Sequence, residues 1–100
     1  MSQATDDINA ERRRQIEAEG WTPAHDDEHG DGALANAAAC YALGAKLYVA
    51  PEYRDGKGVI WPFDEEWWKP SKGRCGRRRD LVKAGALIVA EIERIDRASA

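Results

Sequence analysis

The string His25-Asp26-Asp27-Glu28-His29 puts two imidazoles and three carboxylates into five residues. Histidines four apart share one face of a helix, where both can reach a single ion. With Glu28 between them they match H-x-x-E-H, the inverted zinc-protease pattern, although 100 residues are far too few for that protease class. His25, Glu28, His29 and Asp31 are therefore candidate ligands for Zn²⁺ or Mg²⁺. The same residues also suit a capping segment, because carboxylates stabilise the positive start of a following helix. Direct contact with a ligand is a third reading.

A second group combines cations and rings. Lys69, Lys72, Arg74, Arg77, Arg78 and Arg79 follow closely on Trp61, Phe63, Trp67 and Trp68. Arginines at a helix start make an anion site, since free backbone amides and the helix dipole point the same way. Flat rings beside them can stack on a base. Trp67, Trp68, Lys69, Arg77, Arg78 and Arg79 are the candidate ligand-binding residues, the guanidinium groups for phosphate and an indole for a base. Two other readings remain open. The tryptophans can complete the core, and the basic stretch can pair with the acidic residues at 26–31. Tyr41 reads as core, while Tyr48 and Tyr53 resist assignment. No serine–histidine–acid set, cysteine–histidine set or Gly-rich phosphate loop has convincing spacing.

The elements that must position these groups read as helices. Residues 6–19 form the first, capped by Thr5, with Asp6 and Asp7 at its positive end and Gly20 ending it. Ile8 and Ile16, helped by Ala10 and Ala18, give it a thin apolar stripe; Arg12, Arg13, Arg14, Glu17 and Glu19 face water. A linker over 21–32 has room for one helical turn from Pro23 to His29. The second helix covers 33–45, with Asp31 as its cap. Leu34, Ala37, Ala38, Tyr41 and Ala45 share its inner face, and its alanines permit close approach of another helix.

Residues 46–63 are ambiguous. Lys46 to Ala50 can be extended or can prolong the second helix, Pro51 stops either, and Asp55-Gly56-Lys57-Gly58 is a turn. Asp64 can cap a single helical turn that Pro70 closes. The last helix, 77–98, is the clearest element. Leu81, Gly85, Ile88, Ile92 and Ile95 form its main stripe. With Val82, Ala84, Ala86, Leu87, Val89 and Ala90 its middle is apolar all round, which suits burial or sharing with a second subunit. Glu93 and Arg97, four apart, can pair. The expected fold is all-α: one domain, a small antiparallel three-helix bundle with a flexible start at 1–5. A long aromatic loop at 46–76 joins the second and third helices.

Composition narrows the function. Eighteen acids against fifteen bases give a net charge of −3. That excludes a generally basic coat for extended nucleic acid. Charge is nonetheless segregated, at −6 over residues 1–31, −2 over 32–68 and +5 over 69–100. No apolar run approaches the ~20 residues of a membrane span, and the first ten residues do not read as a signal peptide. Cys40 reads as a small buried hydrophobe and Cys75 as an exposed loop thiol; a reducing cytoplasm is expected for both.

Several strings resemble a family of short phage and prophage proteins. They are Glu19-Gly20-Trp21-Thr22-Pro23 with His25 to His29, then Ala37-Ala38-Ala39-Cys40-Tyr41-Ala42. Trp67-Trp68-Lys69-Pro70 and Arg78-Arg79-Asp80-Leu81-Val82-Lys83-Ala84-Gly85-Ala86-Leu87-Ile88 follow. The likeness covers most of residues 11–97 and implies a phage context in the cytoplasm of a host cell, with little defined chemistry. The segment Ser71 to Gly76 is longer than that pattern leads one to expect. The terminal helices also look like those of phage proteins related to the MazG-type all-α nucleotide pyrophosphohydrolases. That class binds Mg²⁺ through E-x-x-E and E-x-x-D pairs. Here E-x-x-D occurs at Glu28/Asp31, Glu52/Asp55 and Glu93/Asp96, and E-x-x-E is absent.

Three functional expectations follow. The first is a non-catalytic accessory protein that binds a nucleotide-type ligand or a host protein, countering host defence, with no cofactor. The second is a reduced pyrophosphohydrolase in which His25, Glu28 and Asp31 hold Mg²⁺. The third is an interaction module that forms homo-oligomers.

Overall fold

A computed structural model describes residues 2–44, 61–63 and 65–99, without the side chain of Glu65. Among the described residues four α-helices run in the order α1 (Gln3–Glu17), α2 (Pro23–Asp27), α3 (Ala33–Leu43) and α4 (Gly76–Ser99), with one 3₁₀ turn at Glu65–Trp67. The described residues contain no strand, so the chain is all-α as expected. None of these helices is long and apolar enough to cross a membrane. The readings at Lys46 to Ala50, Pro51, Tyr48, Tyr53, Asp55 to Gly58 and Asp64 lie outside the described residues.

α4 is the common support, with α1, α2 and α3 each packed against it. Its tightest neighbour is α3. Leu34, Ala37, Ala38, Cys40 and Tyr41 of α3 are buried in one cluster with Ala84, Leu87 and Ala90 of α4. Small residues on both sides let the two backbones approach, and Leu34 and Leu87 fill the space between. Trp61 is buried in the same cluster, and Trp21, Phe63 and Trp68 pack against it. Cys40 is buried and Cys75 exposed, as their sequence contexts suggest.

The face α4 buries differs from the expected stripe. Val82, Ala84, Ala86, Leu87 and Ala90 point inward, while Leu81, Ile88, Ile92 and Ile95 remain 45%, 47%, 52% and 46% exposed. Alanines suit a close contact with the alanine-rich α3, so the thin face of α4 turns in and its thick face is left outside.

α1 also departs from expectation. Ser2, not Thr5, caps it, its Oγ accepting from the Thr5 amide at 3.2 Å. The residues it buries are Glu11, Arg12 and Gln15; Ile8 and Ile16 are half-buried, and Ala10 and Ala18 are exposed. Arg12, expected in water, is instead sealed in. Its Nη2 donates to Asp26 Oδ2 at 2.6 Å, its Nη1 to the Trp21 carbonyl at 3.2 Å and its Nε to Glu93 Oε1 at 3.3 Å. This one side chain joins α1, the linker, α2 and α4. Glu93 is thereby taken from Arg97, which pairs with Asp27 at 2.7 Å.

The short elements follow local rules. Thr22 caps α2 by accepting from the His25 amide at 3.2 Å, and Pro23 takes the first helical position. Asp31 Oδ1 accepts from the Ala33 amide at 3.1 Å, although Gly32 is the residue in the cap position. Gly44 ends α3 at φ +85°, in the left-handed region that glycine reaches without strain.

Arg12→Ala leaves the Asp26 carboxylate buried without its cation. The expected cost is about 3–5 kcal/mol in urea unfolding, a large share of what a domain of this size possesses. The double change Arg12→Met/Asp26→Leu, which removes both charges and keeps volume, is expected to cost clearly less. Equal losses would show that the ion pair is not what holds α1 and α2 to α4.

Candidate functional site

A hollow of about 400 Å³ opens between α1 and the first turns of α4. Asp7, Glu11 and Arg14 line it from α1, Arg78 and Arg79 from α4, and Cys75 from the turn before α4. Ala10 and Val82 supply its apolar part. Across Glu11 and Arg14 lies a narrower cleft of about 30 Å³, walled by Gln15, Trp21, Tyr41, Trp67, Lys69 and Lys83.

Glu11 organises both spaces. Its side chain is almost fully buried. It accepts from Arg14 Nε at 2.8 Å and Arg14 Nη2 at 2.9 Å, and from Arg79 Nη2. Burial pushes the Glu11 carboxyl upward, but the hydrogen bonds from Arg14 and Arg79 outweigh it and hold the group below its ordinary value. The same bonds, with a further one to Glu19 at 2.9 Å, raise the Arg14 guanidinium above its usual value. At the rim Arg78 pairs with Asp7 at 2.8 Å. Gln3 and Arg78 hydrogen bonds both lower the Asp7 carboxyl. Three guanidinium groups thus face two carboxylates around the hollow.

In the cleft, Tyr41 donates to the Trp67 carbonyl at 3.3 Å and accepts from the Lys69 amide at 3.1 Å. Burial pushes the Tyr41 phenol up. Lys83 lies 5.4 Å from the Tyr41 ring centre and donates to the Lys69 carbonyl at 2.9 Å. Burial, then the nearby Arg79 charge, lower its ammonium. Gln15 Nε2 reaches Glu11 Oε2 at 3.3 Å, and its buried Oε1 has no protein partner among the described residues.

The six expected ligand-binding residues do not meet in one place. Consecutive helical positions point about 100° apart, so Arg77, Arg78 and Arg79 leave α4 in different directions. Arg77 donates to the Tyr41 carbonyl at 3.3 Å and to the Ala42 carbonyl, at the C-terminal end of α3. Arg78 and Arg79 turn to the α1 hollow. Trp67 stands at the cleft, 37% exposed, with Lys69 Nζ 5.1 Å from its ring centre. Trp68 is half-buried against Tyr41 and Trp61, at centroid distances of 4.9 and 5.1 Å. The cations that remain beside a reachable indole are Lys69, Lys83 and Arg14. The expected pairing of the basic stretch with residues 26–31 is replaced by pairing with Asp7 and Glu11 of α1.

The histidine-rich string belongs to an aromatic cluster. His25 stacks on Trp21 with ring planes 8° apart, His29 contacts His25 at 4.8 Å, and the Phe63 ring meets His29 edge-on at 5.4 Å. Asp26 is committed to Arg12, and Asp31 to the start of α3. Among the described residues no group of three histidine, cysteine, aspartate or glutamate side chains gathers in a way that could hold a metal ion.

Asp7, Glu11, Arg14, Gln15 and Lys83 were not anticipated as site residues. Glu11 and Arg14 have an ordinary helix-surface spacing, so their burial is invisible without the packing of α1 on α4. No protein-family model, curated protein or solved structure matches this chain.

The depressed Glu11 carboxyl predicts acid sensitivity. Its contribution is complete above its ordinary value of 4.5 and is lost as pH falls through the lower folded-state value. Urea unfolding of the native chain is expected to lose stability below that range. Glu11→Gln is expected to cost about 1–3 kcal/mol at pH 7, with a shallower acid slope. An unchanged slope in Glu11→Gln would remove Glu11 from this role.

Proposed function

We propose that the chain is a non-catalytic binding protein that takes a small phosphate-bearing ligand in the hollow between α1 and α4. The observation that carries this is the convergence of Arg14, Arg78 and Arg79 on a space of about 400 Å³. That volume suits a small ligand. Guanidinium groups match phosphate oxygens in fork geometry, and Arg78, half exposed at the rim, can exchange Asp7 for a ligand oxygen without unfolding anything. A nucleotide is the member of this class with the most to gain. Its phosphates can occupy the hollow while its base lies beyond Arg14 on the exposed part of Trp67. The sequence likeness to short phage proteins supports placing such a binder among phage accessory factors that sequester a host ligand or block a host protein.

Hydrolysis is not favoured. Glu28 and Asp31 lie apart from the hollow, and no histidine lines it among the described residues.

Thermal unfolding with pyrophosphate and a panel of linear and cyclic nucleotides tests the reading. A ligand at ten times its Kd adds about 1.4 kcal/mol, a rise of several degrees for this size. Arg78→Glu is expected to abolish the rise. Trp67→Ala is expected to remove only the preference for nucleotides over pyrophosphate. No rise with any phosphate compound, or a rise that survives Arg78→Glu, overturns the site. Pyrophosphate release with Mg²⁺ that is lost in Glu28→Ala would overturn the non-catalytic reading.

A further inference from the structure

The outward face of α4 carries an apolar stripe with a strict repeat. Leu81, Ile88 and Ile95 are seven residues apart, Ile92 follows Ile88 by four, and all four are about half exposed. Alternating steps of three and four are the spacing of a helix that meets another helix along its length. The position that would interrupt the stripe is Gly85. There Ile8 of α1 fills the gap, its Cδ1 only 2.8 Å from where a Gly85 Cβ would stand. The result is a continuous apolar ridge about 21 Å long, the rise of fourteen helical residues.

We infer that this ridge pairs with the same ridge of a second copy of the chain, antiparallel, about a two-fold axis at Ile88. The pattern is self-complementary under that operation, as a two-fold interface requires. Leu81 and Ile95 lie seven residues to either side of Ile88, so each meets the other in the second copy, and Ile88 meets Ile88. Ile92 then packs on the Ile8–Gly85 step.

Charge selects the second copy and the antiparallel sense. Arg78 stands ten residues before Ile88 and Asp96 eight after it. At 100° per residue both fall on the same flank of the ridge. Antiparallel pairing brings Arg78 of one copy within two residues of Asp96 of the other, twice by symmetry. Asp96 makes no ion pair among the described residues. Arg78 reaches Asp7 through Nη1, and a guanidinium carries further donors. Parallel pairing would instead set the Arg77, Arg78 and Arg79 clusters side by side and bring Glu91 toward Asp96. It would also align the two helix dipoles unfavourably. Arg78 also lines the α1–α4 hollow, but Leu81, Ile88, Ile92, Ile95 and Asp96 do not, so substitutions at those positions test the pairing apart from ligand binding.

Sedimentation of the full chain near 100 µM tests the pairing. The expected mass is about twice the 11.1 kDa of one chain, and Ile88→Glu is expected to return it to one chain with helical circular dichroism unchanged. Asp96→Lys, on the exposed rim, is expected to raise the dimer Kd about three- to tenfold. The sense is read by oxidation in a Cys75→Ser background. Ile88→Cys is expected to cross-link to itself, and Leu81→Cys only to Ile95→Cys. A monomeric native chain, a dimer indifferent to both Ile88→Glu and Asp96→Lys, or self-cross-linking of Leu81→Cys each overturns the inference.

Discussion

The guanidinium of Arg12 is almost wholly removed from water, and a charge in that position survives only if it is paired and its N–H groups are met. Three segments meet them: the Asp26 carboxylate of α2, the Trp21 carbonyl of the linker and the Glu93 carboxylate of α4. The path of residues 18–27 follows from this requirement. The chain must turn back after α1 so that Trp21 and Asp26 both face Arg12. Other assignments are then forced. Asp26 is consumed as a counter-ion and cannot serve a metal. Glu93 is drawn toward α1, and Arg97 is left for Asp27.

Glu11 is a second polar knot on the same helix. Because Arg14 and Arg79 converge on it, the start of α4 is held against α1 by charge rather than by apolar packing. The knot also divides the surface. One side is a basic hollow with room for a ligand; the other is an aromatic cleft with almost none. A nucleotide reading that needs rings and cations in a single pocket therefore changes into one that places phosphate and base on opposite sides of a shared Glu11–Arg14 wall.

α4 has two apolar faces of different thickness. Its alanine-rich face pairs with the alanines of α3, where close approach gives dense contact. Its isoleucine face is too thick for that contact and lies outward, completed by Ile8 at Gly85. A helix apolar all round must choose which side to bury, and here the choice rests on the size of the opposing side chains.

Helical content, the helical turn that begins at Pro23 and the burial of Cys40 and Tyr41 were legible from residue type and spacing. These depend on interactions within a few residues or on simple periodicity. The polar interior of α1 was not legible. Arg12, Arg13 and Arg14 are identical in type and adjacent, yet Asp26 of α2 and Glu93 of α4 capture Arg12, while Arg14 braces Glu11 on its own helix and Arg13 is exposed. The same holds for Arg77, Arg78 and Arg79, which one helical turn sends to three partners. Local patterns determine which segments are helical; tertiary contacts determine which face turns inward, charge pairing for α1 and the size of the opposing side chains for α4, because the deciding partners Asp26, Glu93 and the α3 alanines lie far away in sequence.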